Sequence, residues 1–195
     1  MQMPRFNTPL LAPQLMLALV LGACSPPTFV RTAPLAQAAV TASSGLREPA
    51  AGEAVIVINN NASPGTHVGI FAGMRLNDPA GSYLGTRAMD ENWPGPSLAD
   101  YVEFQKGDGD NIQIYRFRLA PADFAALDAR MAAAGPTPPL FCAVAVQSLI
   151  AGLGPFKDIP AAGWATPASL GEQLERLVAS RASAGQCVQP DNRPC

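Results

Sequence analysis

Ionisable side chains are scarce in this chain: 14% of its 195 residues are charged, and the formal net charge is −2. Without a basic stripe there is no electrostatic footprint for nucleic acid, so that partner is excluded. His67 is the only histidine, and the cysteines stand far apart at positions 24, 142, 187 and 195. No two of these have the short spacing of a zinc site, so no metal is expected. Asp108, Asp110 and Asn111 fall in the turn cluster GDGDN, but a calcium loop counted from Asp108 needs Gly sixth and Glu twelfth, where Gln113 and Leu119 stand. The cluster reads as a solvated turn. There is no phosphate-binding glycine pattern, no cofactor is expected, and no internal repeat is present. The apolar stretch at residues 10–21 is broken by Pro13. It reaches about a dozen residues, short of the ~20 that cross a bilayer as a helix, which argues against a permanent transmembrane anchor.

What the N-terminus does contain is the layout of a secretory signal: a cation at Arg5, the apolar stretch, then small residues before a cysteine. Residues 1–23 are expected to be removed. Leu21, Gly22, Ala23 and Cys24 resemble the lipobox of bacterial lipoproteins, which implies a diacylglycerol on the Cys24 sulfur and cleavage in front of it. Several acyl chains on one residue make a stable anchor, since each buried methylene contributes ~0.8 kcal/mol and one chain holds only marginally. By the same resemblance Ser25, which is not Asp, favours the outer membrane, with the protein facing the periplasm. Residues 24–50 are rich in Pro, Ala and Ser and read as the lipidated N-terminus and a flexible tether. About 130 to 145 residues remain to fold, the size of one domain.

In an oxidising compartment the three cysteines beyond Cys24 leave one thiol over. Cys187 and Cys195 lie eight apart in the polar segment GQCVQPDNRPC, where a loop can close them into a disulfide. Pairing of Cys142 with either tail cysteine is the competing arrangement.

Along the mature chain, AVIVIN (residues 54–59) reads as a buried strand and HVGIFAG (67–73) as a second one opening on the histidine. RLNDPAGSYLGTR reads as a turn into a further strand or an ordered loop. Ser97 precedes Leu98, Tyr101, Val102 and Gln105, which predicts a short capped helix. IQIYRFRL places Tyr115, Phe117 and Leu119 on one face of a strand. Pro121 opens a helix through Phe124, Leu127 and Met131 that Gly135 stops; LFCAVAVQSLIAG predicts a buried helix from near Phe141; Thr166 and Pro167 open a last one through Leu170, Leu174 and Leu177. Residues 181–195 read as a C-terminal tail. Trp93 and Trp164, in Gly- and Pro-containing loops, read either as the lining of a substrate groove or as packing under those loops.

Two features carry chemistry. Cys142 falls on the first turn of an apolar helix, where unpaired amides and the positive end of the helix dipole favour a thiolate. His67 is the one side chain that could exchange a proton with it, and its ring needs a third polar group for orientation. Asp78, eleven residues on, can be brought alongside by a strand, turn and return strand; Asn77 and Tyr83 remain open alternatives. The plain alternative for Cys142 is a buried core residue, and for His67 an ordinary hydrogen-bonded histidine.

HVGIFAG, then DPAGSY, then FCAVAVQSLIAGLG, then TPASLGEQL together resemble the circularly permuted branch of the NlpC-type papain-like cysteine hydrolases, to which lecithin retinol acyltransferase-like proteins belong. The resemblance spans residues 54–178 and implies a permuted papain-like α+β domain over residues 51–180, with a small antiparallel sheet packed against helices. It puts the nucleophile on Cys142, the general base on His67 and an orienting residue on the strand after the histidine, with the Cys142 amide among the oxyanion donors. Ala143 and Val144 stand where unpermuted members often carry Ser-Gly. The expected function is a cell-envelope cysteine hydrolase cleaving an amide bond in peptidoglycan peptides. The alternatives are a thioesterase or acyltransferase on lipid-linked acyl groups, and a non-catalytic binding lipoprotein.

Overall fold

The computed structural model describes residues 45–61, 67–180 and 185–195. The expected signal, Cys24 and the tether as far as residue 44 lie outside the described residues. The elements run β1 (Glu53–Asn59), β2 (His67–Ala72), β3 (Arg75–Asn77), α1 (Ser82–Arg87), α2 (Leu98–Lys106), β4 (Ile112–Arg118), α3 (Pro121–Ala133), α4 (Cys142–Ile150), a short 3-10 turn (Gly154–Phe156), α5 (Pro167–Ser180) and β5 (Gly185–Val188).

The architecture is α+β, built on one five-stranded antiparallel sheet in the order β3-β2-β1-β4-β5. β1 is central and buried along its whole length, which is why AVIVIN is a continuous apolar run with no polar alternation: helices cover both faces of the sheet. On one face Ala54, Ile56, Ile58, Val68, Ile70, Tyr115 and Phe117 pack with Leu127 and Met131 of α3, Val146 and Ile150 of α4, and Leu170 and Leu174 of α5. On the other, Val55, Val57, Phe71 and Ile114 pack with Tyr83 of α1 and with Leu98, Tyr101 and Val102 of α2.

Local chemistry explains the helix starts. Ser97 Oγ accepts from the Asp100 amide at 3.1 Å and caps α2. Pro121 occupies the first turn of α3, where its missing N–H costs nothing. Thr166 and Ser169 bond reciprocally, each hydroxyl accepting the other's amide at 3.1 and 2.9 Å, ahead of Pro167 and α5.

Three expectations are corrected. SYLGTR forms the helix α1 rather than a strand or loop; Gly81 before it takes the left-handed conformation at φ 70°, which a side chain would resist. The closing segment is no bare tail, since Gly185–Val188 pairs with β4 as the edge strand of the sheet. The folded region also begins before residue 51. Leu46 is buried in the α2-side core, and the Glu48 carboxylate accepts the Leu98 and Ala99 amides at 2.7 and 3.1 Å, so residues 45–50 are bound to the sheet and α2.

Candidate active site

His67, Asp78 and Cys142 sit at the starts or ends of three elements that meet at one end of the sheet. His67 is the first residue of β2, Asp78 follows the last residue of β3, and Cys142 is the first residue of α4. The β2–β3 hairpin pairs Ile70 with Asn77, so the chain leaving β3 runs back toward His67. His67 Nε2 and Asp78 Oδ1 lie 2.8 Å apart, with the carboxylate fully buried and the ring 12% exposed. His67 also shares a side-chain hydrogen bond with Cys142.

The Asp78 carboxylate is fixed from two more directions. Its Oδ2 accepts the Tyr83 amide of α1 at 3.0 Å, and its Oδ1 accepts the Tyr101 hydroxyl of α2 at 3.5 Å. The Gly81 amide closes the turn onto the Asp78 carbonyl at 2.8 Å. DPAGSY is thus a carboxylate mount: proline and glycine shape the turn, and the first turn of α1 presents an amide to the anion. Asn77 remains in the β3 ladder opposite Ile70. The Tyr83 side chain points elsewhere, its hydroxyl donating to Asp100 Oδ2 at 2.9 Å. Of the alternatives read from the sequence, Asp78 is the one whose side chain meets His67.

Cys142 is 8% exposed and lies outside any disulfide. Cys187 and Cys195 are joined to each other instead. Burial on its own would raise the Cys142 thiol, but the hydrogen bond and positive charge of His67, with the Val68 and Ala143 amides, bring it below the ordinary value. The Val68 amide is spare for a structural reason: β3 pairs with β2 only over residues 70–72, so that side of residue 68 lies beyond the ladder. Burial would likewise lower His67, yet hydrogen bonding to Asp78 and Cys142 and their charges push it up to about 9. Both shifts favour the thiolate–imidazolium pair. The ladder within α4 begins with Ala145 donating to Phe141, so the Cys142 amide lies ahead of it, at the dipole's positive end.

Tyr101 went unnoticed in the sequence as anything but a helix-face aromatic. The available signal was Gly69, an isolated glycine inside a strand, which marks the close approach of another group. Trp93 packs edge-on against Tyr83 at 5.8 Å. Trp164 is 68% exposed and meets Phe141, the residue before Cys142, edge-on at 5.3 Å. Among the described residues no group of three or more His, Cys, Asp or Glu could hold a metal ion, and no helix is long and apolar enough to cross a membrane.

The site therefore defines an α+β domain with a buried Cys-His-Asp relay at the edge of an antiparallel sheet. Searches against family models, curated proteins and solved structures return no match to this chain.

Proposed function

We propose that this chain is a cysteine hydrolase of the cell envelope, built as a circularly permuted papain-like domain and held to the outer membrane by lipid on Cys24. The observation that carries the reading is the relay itself: a buried carboxylate 2.8 Å from the imidazole, which in turn hydrogen-bonds the sulfur of a helix-opening cysteine. That order, histidine strand before cysteine helix, supports the permuted arrangement.

The Cys142 thiolate attacks the carbonyl carbon of the substrate, and its charge passes to the carbonyl oxygen in a tetrahedral intermediate. The Cys142 amide at the start of α4 donates to that oxygen. On collapse, the His67 imidazolium gives its proton to the departing nitrogen, leaving an acyl group on sulfur. Water then attacks the thioester with His67 taking its proton, and the acid is released as the thiolate returns. The Asp78 carboxylate holds the ring in orientation through the cycle.

With the domain tethered beside the wall, the substrate is an amide bond of a peptidoglycan peptide. A specific feature favours the second reading, a thioesterase or acyltransferase. Leu140, Phe141 and Trp164, exposed by 66%, 39% and 68%, place apolar surface beside the nucleophile, as an acyl chain would require.

Purified wall peptides and model acyl thioesters, assayed with wild type and Cys142→Ala, test the proposal. Turnover of one substrate class by wild type and loss of it in the variant is the expected result, and the class turned over decides between the two readings. Slow labelling of the Cys142 thiol near neutral pH, the same in wild type and His67→Ala, would instead mark a binding module. Metabolic incorporation of a lipid label that Cys24→Ala abolishes checks the anchor.

A further inference from the structure

We propose that Tyr101 is a positioning residue of this site: its hydroxyl, seated over Gly69, holds the Asp78 carboxylate in the rotamer that aims His67 at Cys142. The inference rests on the hydrolase reading above and extends it to a residue that touches neither sulfur nor imidazole through a hydrogen bond. Tyr101 is entirely buried on the inner side of α2. Its ring is fixed edge-on by Tyr83 at 5.1 Å and Phe71 at 5.7 Å, and it stands 6.5 Å from the His67 ring.

Alternate residues of a strand share a face, so positions 67, 69 and 71 of β2 turn the same way. Two of them carry rings, and the middle one carries nothing. A methyl group on Gly69 would overlap the Tyr101 hydroxyl oxygen and lie 2.8 Å from the ring carbon Cζ. Gly69 has ordinary strand geometry with no left-handed φ, so the backbone itself does not call for glycine there. A strand glycine is destabilising relative to alanine, and what it provides here is room for one hydroxyl.

Packing alone would be served by phenylalanine. The hydroxyl adds a hydrogen bond to Asp78 Oδ1, the oxygen that also meets His67 Nε2. With the Tyr83 amide on Oδ2, three donors determine both side-chain torsions of Asp78. Burial, then the negative charges of Asp78 and Cys142, hold the Tyr101 phenol well above its usual value, so it stays a donor at any working pH. Among the described residues, the titratable side chains facing the Asp78 carboxylate are His67 from β2, Tyr101 from α2 and Cys142 from α4, with Tyr83 of α1 turned toward Asp100 and Arg87.

Site-resolved alkylation of Cys142 by iodoacetamide in the full chain, followed over about pH 4 to 10, tests this without any substrate. Wild type is expected to react well below the ordinary thiol range. Tyr101→Phe, which keeps the ring, should shift the profile upward and slow Cys142 labelling near pH 6 by about three- to tenfold. Gly69→Ala should give the same shift, and adding it to Tyr101→Phe should do less than it does alone, because the atom it strikes first is gone. An unchanged profile in Tyr101→Phe, against an acid-shifted wild type, would overturn the positioning role and leave the hydrolase reading intact. A wild type that reacts only in the ordinary thiol range would overturn both.

Discussion

Replacing Asp78 by asparagine keeps the shape of the side chain and removes its charge, so the variant isolates what the carboxylate does for His67. In the wild type the folded His67 titrates at about 9 against an ordinary 6.5. A raised histidine stabilises the fold fully below its unfolded value, and that contribution fades as pH climbs from about 6.5 to about 9. On the proposed mechanism the Cys142–His67 pair has the same upper limit, because above it the imidazolium that returns the proton is lost. Asp78→Asn should therefore pull the alkaline limb of the kcat/KM profile down toward neutrality and lower its plateau on the order of a hundredfold. A variant whose alkaline limb stays at the wild-type position would show that the carboxylate is not what holds the proton on His67. On the same mechanism the acid limb would belong to Cys142, whose lowered thiol value comes from His67 working against burial, so it should move up in the same variant. His67 and Cys142 were legible in the sequence because each opens an element, and element starts leave a signature in residue type and spacing. Tyr101 was not legible, because its role lies in a hydroxyl meeting a strand thirty-odd residues away, and amphipathic spacing reports only that the ring points inward.

Between elements, a buried electrostatic tie joins β1 to β4 near the register pair Glu53 and Arg118, where Arg116 reaches the Glu53 carboxylate. Arg116 Nε and Nη2 donate to Glu53 at 3.1 and 2.9 Å, Arg47 adds 3.1 and 2.7 Å, and the Ala50 amide adds 2.9 Å. Burial by itself would raise Glu53, but these donors bring it from 4.5 to about 2. A depressed carboxylate contributes stability above its unfolded value, and that contribution is lost as pH falls from about 4.5 to about 2. Glu53→Gln leaves the Arg116 guanidinium buried without its counter-charge, and should cost about 3 kcal/mol in urea unfolding at neutral pH. Near pH 2 to 3 the gap between wild type and variant should close. A gap that holds constant across that window would assign the cost to packing rather than to charge. The apolar spacing that predicted β1 gave no hint of this cluster, since a glutamate ahead of AVIVIN looks like a strand-end solvent group until Arg116 and Arg47 are brought to it. α1 and β5 escaped for related reasons. SYLGTR is six residues long with one buried side chain, and GQCV is a half-exposed edge strand whose pairing with β4 overrides its polar composition.

For the whole molecule, the question that composition answered least well is where folding starts along the chain. The Pro-, Ala- and Ser-rich stretch has no apolar period as far as residue 50, and composition alone assigns all of it to the tether. Its last six residues nonetheless tie three layers together. Leu46 fills the core beneath α2; the Glu48 carboxylate takes the first amides of α2; the carbonyls of Arg47 and Glu48 accept from Arg116 at 2.9 and 3.2 Å; and Asn192, next to the disulfide-closed C-terminus, donates to the Gly45 carbonyl at 2.8 Å. None of these contacts recurs locally, so no window of the sequence reveals them. Two truncated chains separate the accounts. One starting at residue 45 keeps every described contact, whereas one starting at residue 51 loses the Leu46 burial, worth roughly 2 kcal/mol, and strips acceptors from a buried guanidinium and two helix-start amides. The shorter chain should unfold at a lower urea midpoint, by an amount equal to about 3 kcal/mol or more, with the slope of the transition little changed. Because α2 carries Tyr101, its loosening should also reach the His67–Cys142 site, and Cys142 labelling near pH 6 should slow in the shorter chain while still folded. Equal midpoints for the two chains would return residues 45–50 to the tether and make their contacts incidental.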